Sequence, residues 1–298
     1  MTEMFTRIDE RHGGQHGRTA VVQYLRTDVA DLCQSRFGSE AEHREALGLA
    51  ASVAYLCGWK AYDADEHGLA QRYYLQALAL TREAGDYIHE AWILRIMAHN
   101  GMDIRRPENT LRLAESALDR VRGRVSPSTE ALFAVTRARA LAVNRRRKEA
   151  ATQIREAQDL VLRGEQSDLP YWAALWGSAR ATVSSHTGKT FHELGDHRNA
   201  ERHYETSARS RPRDGNGYQR ITALTLAAQG REQAAQGHLE AACATWGQSL
   251  NLLGGVRSAR VAKQVSGIRR QLGVFDKRGV RAAADLDERA RDWQLAYA

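Results

Sequence analysis

The sequence predicts an all-α protein built as a stack of helical hairpins, and three observations carry that reading. A spaced pattern of small residues recurs five times along the chain. Only 4 prolines occur in 298 residues, which leaves long stretches free to run as uninterrupted helices. Helix start and stop signals fall between the recurrences: Asp86 and Ser126-Pro127 as starts, Gly85, Gly123 and Gly164 as stops.

The recurrence begins at Gly58. Twelve residues on stands Ala70, then Tyr74 and Ala77, the last three on one helix face. The same template gives Ala98 with Thr110, Ala114 and Ala117, and Ala138 with Ala150, Ile154 and Ala157. It then gives Gly188 with Ala200, Tyr204 and Ser207, and Gly230 with Ala242, Trp246 and Ser249. The anchors are 40, 40, 50 and 42 residues apart. Two helices that cross closely need a small residue on the first. The second then needs small residues facing it and one bulky side chain to fill the gap.

Around this repeat the chain divides into residues 1–40 as an N-terminal helical cap or linker, 41–254 as five hairpins, and 255–298 as capping helices. Residues 19–37 read as an amphipathic helix, and 256–273 and 277–296 as two further helices closing the stack. Segment 165–176 carries the extra length before the fourth hairpin and is expected to extend its first helix. Gly13-Gly14-Gln15-His16-Gly17 reads as a flexible turn.

The template resembles the tetratricopeptide repeat (TPR), whose pattern is a small residue, then alanine, an aromatic and alanine. Gly58-Ala70-Tyr74-Ala77 matches it well, as does Gly188-Ala200-Tyr204 followed by Pro212. A narrower resemblance rests on Arg7–Gly14 with Val21–Leu25, Gly58–Asp63 through His67–Tyr74, Met97-Ala98-His99 and Gly255–Arg260. These stretches resemble the C-terminal, TPR-like region of actinobacterial, Streptomyces-type regulators that carry an N-terminal Xre-type helix-turn-helix. The resemblance implies a sensor half that binds a signal or partner and forms homodimers. The family's DNA-binding domain would precede residue 1, and residues 1–18 are too short for one, so direct DNA binding is not expected of this chain.

In TPR-like stacks the first helices line a concave groove. Positions three before, one after and four after each anchor would face it. They are Tyr55, Trp59 and Tyr62, then Arg95, His99 and Met102 with Trp92 one turn earlier, then Val135, Arg139 and Ala142. The fourth and fifth hairpins add Ser185, Lys189 and His192, and Ala227, Arg231 and Ala234. The inferred groove is aromatic at its N-terminal end and basic along its length, which suits a peptide, small acidic molecule or protein partner held by charge-assisted hydrogen bonds. The alternative is that the aromatics pack between repeats and the basic residues are solvated.

Net charge is +7 and the isoelectric point about 9.5. Nearly all the cations are arginine, which fits a GC-rich genome as well as a functional need. Arg145-Arg146-Arg147-Lys148, the densest run, reads as a solvated turn. Cys33, Cys57 and Cys243 form no CxxC pair, which speaks against a zinc ribbon or redox motif and for reduced, mostly buried thiols. His192 and His197 are five residues apart across Gly195, so they are not expected to share a helix face, and His197 and His203 lack an evident third ligand. Ser184-Ser185-His186 are neighbours that do not face one another on a helix. Asp63 and Asp65 are expected to cap a hairpin turn. No metal, cofactor or catalytic residue is therefore expected. Two alternatives stay open: an arginine-rich nucleic-acid binder, and an enzyme on this scaffold using His99, His186 or His192 as a base. No apolar run or signal-peptide core appears, and a cytoplasmic location is expected.

Overall fold

The computed structural model describes residues 1–165, 169–174, 177–211, 218–277 and 279–297. It is all-helical among these residues. Five hairpins follow one another: α4 (Glu40–Asp63) with α5 (His67–Glu83), α6 (Tyr87–Asp103) with α7 (Thr110–Val121), α8 (Pro127–Val143) with α9 (Arg147–Arg163), α11 (Ala179–Glu193) with α12 (His197–Arg209), and α13 (Gln219–Ala235) with α14 (Leu239–Leu252). The helical-repeat fold read from the anchors is the one observed. No described helix is long and apolar enough to cross a membrane.

The anchors mark the crossings within the hairpins. A Cβ on Gly58 would stand 2.5 Å from the Tyr74 ring, on Gly188 2.9 Å from Tyr204, and on Gly230 2.5 Å from Trp246. In these three hairpins the aromatic residue of the template thus packs against the bare backbone of its anchor. In the last two hairpins the final alanine is a buried serine. Ser207 Oγ donates to Ala181 O at 2.7 Å and Ser249 Oγ to Ala223 O at 2.8 Å, so the substitution adds an interhelical bond instead of an unpaired hydroxyl.

The hairpin turns repeat as closely. Seven residues after each anchor the chain takes a left-handed conformation: Asp65 (φ 67°), Arg105 (φ 58°), Arg145 (φ 62°), Gly195 (φ 74°) and Gly237 (φ 85°). The next amide then donates back across the helix end, Glu66 N to Ala61 O at 2.9 Å and Asp196 N to Phe191 O at 2.9 Å, the C-terminal Schellman closure. Starts are capped where expected. Asp86 accepts from His89 N, and Ser126, followed by Pro127, accepts from Thr129 N.

First and second helices form two layers. Along α8 nearly every residue from Ser128 to Ala142 is buried, whereas α12 buries only Ala200, Tyr204 and Ser207. The first helices form the inner layer, covered on both sides, and the second helices turn one stripe inward.

Three readings of the sequence need correction. Segment 165–176 does not extend α11. A short turn of helix, α10 (Tyr171–Ala174), precedes a break at Gly177, and Ser178 caps α11 anew. Trp172 of that turn packs 4.9 Å from Trp92 and 5.5 Å from His89, sealing one end of the inner layer. Residues 166–168, 175–176 and Pro212 lie outside the described residues. Gly13-Gly14 is not a loose turn. A Cβ on Gly13 would overlap the Arg257 carbonyl and one on Gly14 would stand 2.6 Å from Asp63 Cβ, while Arg257 N donates to His12 O at 2.8 Å. Asp63 is no helix cap. It is fully buried, accepts from Gly14 N at 2.8 Å and pairs with Arg220 at 2.5 Å.

These contacts bring the two ends of the chain together. Helix α1 (Thr2–His12) packs against both α4 and α13. A second N-terminal helix, α2 (Arg18–Tyr24), runs through a π-turn at Leu25–Val29 into α3 (Ala30–Gln34), all against α4. At the C-terminus α15 (Ala259–Asp276) and α16 (Arg281–Tyr297) pack on α13 and α14. From α15, Arg260 lies over Tyr62 at 4.5 Å and Lys263 pairs with Asp65 at 2.5 Å. The superhelix therefore closes on itself after one turn.

Candidate ligand cavity

Closure converts the inner surface into a cavity of about 410 Å³, within the range of small-molecule and peptide sites. Of the sixteen side chains expected at the groove, Tyr55, Trp59, Tyr62, Trp92, Arg95, His99, Arg139, Ser185, Lys189, His192 and Arg231 line it. Met102 joins them. Val135, Ala142, Ala227 and Ala234 do not. In the fifth hairpin the lining falls to Ile221, Leu224, Thr225 and Ala228, so α13 presents a face turned by one residue. Val135 is fully buried in the hydrophobic core.

Both sequence readings of the aromatics hold in part. Trp92 is buried in packing with Trp172 and Phe133, and Tyr55 lies 6.1 Å from Tyr74. Trp59 is only half-buried. Its Nε1 donates to Asp9 at 3.0 Å and Arg260 lies over its ring.

The charges decide the character of the cavity. Eight Lys and Arg side chains line it against three carboxylates, Asp65, Asp103 and Glu193. The carboxylates are engaged. Asp103 accepts from Arg139 Nη2 at 2.6 Å and from the Tyr62 hydroxyl, Asp65 pairs with Lys263, and Glu193 lies 3.8 Å from Arg105. Burial works against the Asp103 carboxylate, yet Arg139, Lys189 and the Tyr62 hydroxyl hold it well below the usual range.

Several of the cations keep unpaired nitrogens or lack a partner. Arg95 is buried, donates Nε to Leu132 O at 2.9 Å and lies 4.6 Å from the Trp92 ring, but its Nη2 has no partner. Arg139 spends one nitrogen on Asp103 and leaves Nε and Nη1 unpaired. Arg211 bonds Ser207 and Thr225 through Nη1 and leaves Nε and Nη2 unpaired. Lys189 has no hydrogen-bond or ion-pair partner among the described residues. Burial brings Arg95 and Arg211 each down to about 10. Lys189 falls to about 7, from burial first and then from Arg139, Arg260 and Arg231. Between these groups His99 and His186 stack with ring centres 4.2 Å apart, each with an unpaired Nδ1. Burial and the surrounding cations hold both far below the usual imidazole range, so both are neutral.

Arg211, Arg260, Asp103 and His186 complete the cavity without appearing among the groove positions. Arg211 follows the fourth template, beyond any repeat position, and Arg260 belongs to a capping helix. Arg260 reaches the cavity because the superhelix closes, whereas Arg211 is held there by Ser207 and Thr225 of the adjoining helices.

His192 and His197 lie on different helices and share no helix face, yet they converge on one partner. They flank the α11–α12 turn, and Glu232 of α13 is the third partner that the sequence did not reveal. His192 Nδ1 lies 2.9 Å from Glu232 Oε1 and His197 Nδ1 2.7 Å from Oε2, all within 4.8 Å of one another. Arg231 donates to Oε1 at 2.9 Å. Burial opposes the Glu232 charge, but His192, Arg231 and His197 bring its carboxyl down to about 2. With Arg231 on the carboxylate and both imidazoles bonded to it, the trio is satisfied as a hydrogen-bonded network. His203 instead stacks on Phe191 at 5.5 Å.

No known protein family and no curated protein matches the chain. Among solved structures it is similar to BtubC (BKLC) from P. vanneervenii, at 14% identity over 81% of this chain and 91% of that one, with a TM-score of 0.53. It is also similar to a Rap protein complexed with Competence and Sporulation Factor, at 15% identity over 86% of this chain and 80% of that one, with a TM-score of 0.52. At such identities the likeness speaks for a helical-repeat fold.

Proposed function

We propose that the chain is a non-enzymatic regulatory or scaffold protein that holds a peptide or small acidic ligand inside its closed superhelix. One observation carries this reading: Arg95, Arg139 and Arg211, buried and with unpaired N–H groups, face the same cavity as a partnerless Lys189. Buried donors without acceptors cost about 1–3 kcal/mol each, more for charged groups, and a bound carboxylate removes that cost. The Rap structure, a similar helical stack solved with Competence and Sporulation Factor, supports a binding role for such a stack. The resemblance to Streptomyces-type regulators supplies the context of signal sensing and a homodimer. The alternative of nucleic-acid binding rests on composition alone.

Native mass spectrometry of freshly purified protein tests the proposal, reporting retained ligand and oligomer together. A displaceable acidic species is expected, with its occupancy reduced at least ~10-fold in Arg139→Ala and Arg95→Ala. Retention unchanged in both variants would remove the cavity assignment.

The neutral His99–His186 pair favours a second reading, an enzyme with one of these imidazoles as base, because a cavity that shields a base from bulk water is where it would sit. Turnover of the retained species by wild type but not by His186→Phe would replace the first reading with this one.

A further inference from the structure

The cations that line the cavity, of which Arg231 is already paired with Glu232, stand at two levels along the helix axes, and the separation can be read from three helices. On α6, Arg95 precedes Asp103, the partner of Arg139, by eight residues, about 12 Å of rise. On α8, Leu132, whose carbonyl holds Arg95, precedes Arg139 by seven, about 10 Å. On α13, Thr225, which holds Arg211, precedes Arg231 by six, about 9 Å. Arg95 and Arg211 therefore belong to one end, and Arg139, Lys189 and Arg231 to the other. The lining between them is formed by Ser185 and the stacked imidazoles of His99 and His186. Every carboxylate that lines the cavity sits at the second end or beyond it and is already engaged.

We infer that the ligand is an elongated dianion, with one carboxylate at the Arg95–Arg211 end, a second at the Arg139–Lys189 end about 10 Å away, and a slender uncharged middle. This rests on the reading that the cavity binds an acidic ligand at all. A single carboxylate would satisfy one level and leave the other as it stands. A dicarboxylate supplies acceptors to both, and its middle meets neutral rings and a hydroxyl. Two chemical sources fit: a straight-chain dicarboxylate, and a peptide of about three extended residues with an acidic first side chain and a free C-terminus.

Calorimetric titration of the full chain with straight-chain dicarboxylates of increasing length, and with the monocarboxylate of each length, tests the inference. Affinity is expected to peak where the carboxylates stand about 10 Å apart, at least ~10-fold above the matching monocarboxylate. Arg95→Gln should abolish that advantage and leave monocarboxylate binding at the other end. Lys189→Met, which breaks no bond within the protein, should weaken both. An N-acetylated peptide of the stated form is the second arm, and tighter binding there than by any dicarboxylate identifies the source as peptide. Monocarboxylates that bind as well as every dicarboxylate overturn the two-level inference and leave the cavity reading standing. No binding by any anion, with the protein folded by circular dichroism, removes both.

Discussion

Arg220 of α13 reaches Asp9 of α1 at 2.5 Å, joining residues 211 positions apart in the chain. Both side chains are fully buried, and the same guanidinium meets Glu10 at 2.7 Å and Asp63 of α4 at 2.5 Å. Lys60 adds a second cation, 3.2 Å from Asp9. This cluster ties the first hairpin, the last hairpin and the N-terminal helix at one point, and with the α15 contacts of Arg260 and Lys263 it closes the groove.

Removing Arg220 should therefore cost more than a surface pair would. Arg220→Met leaves Asp9, Glu10 and Asp63 buried, with Lys60 beside Asp9 and Arg260 3.8 Å from Asp63 as the remaining close cations. Stripping one partner from a buried ion-pair cluster destabilises by about 3–5 kcal/mol. Urea unfolding should show a loss of that size, and α1 should become sensitive to limited proteolysis. A change within ~0.5 kcal/mol, typical of surface sites, would mean that the cluster does not hold the closure.

Much of this architecture was legible in the sequence, because a hairpin repeat writes its crossings as small residues. Gly58, Gly188 and Gly230 are glycine for the reason the template implies: an aromatic ring occupies the place of the Cβ. Most groove positions were legible too, since they follow from the anchors by helical geometry, but Val135, Ala142, Ala227 and Ala234 were misplaced by it. Closure was not. Arg220, Asp9 and Asp63 become partners only when the superhelix comes round. Nothing local distinguishes Asp63 from a cap, or Gly13-Gly14 from a loose turn. Glu232 was hidden likewise, because its link to His192 and His197 spans two hairpins.

The turns show the same boundary and give a second prediction. The left-handed residue seven after each anchor is glycine in the last two hairpins but Asp65, Arg105 and Arg145 in the first three. A side chain in that conformation costs about 1–2 kcal/mol, of which the greater backbone freedom of unfolded glycine offsets part. Arg145 keeps φ 62° although its side chain makes no bond among the described residues. Arg145→Gly is expected to raise stability by roughly 0.5–1 kcal/mol, seen as a higher melting temperature. Destabilisation would show that the Arg145 side chain contributes in a way its conformation does not reveal.

Lys189 yields the last prediction, in which the sign can be worked through. Burial, then Arg139, Arg260 and Arg231, bring its folded value to about 7 from an ordinary 10.5. Between those two values the unfolded chain binds more protons than the folded one, so stability rises with pH across that window. Lys189→Met should flatten this part of the stability profile. A carboxylate bound beside Lys189 favours the charged amine and raises its value again. Near pH 8 the free protein holds this amine mostly neutral, so binding should draw in up to about 0.9 proton from the buffer. Affinity should then weaken by up to about tenfold per pH unit above 7. Calorimetry in two buffers of different ionisation enthalpy measures the uptake directly. A binding enthalpy identical in both would place the anion away from Lys189.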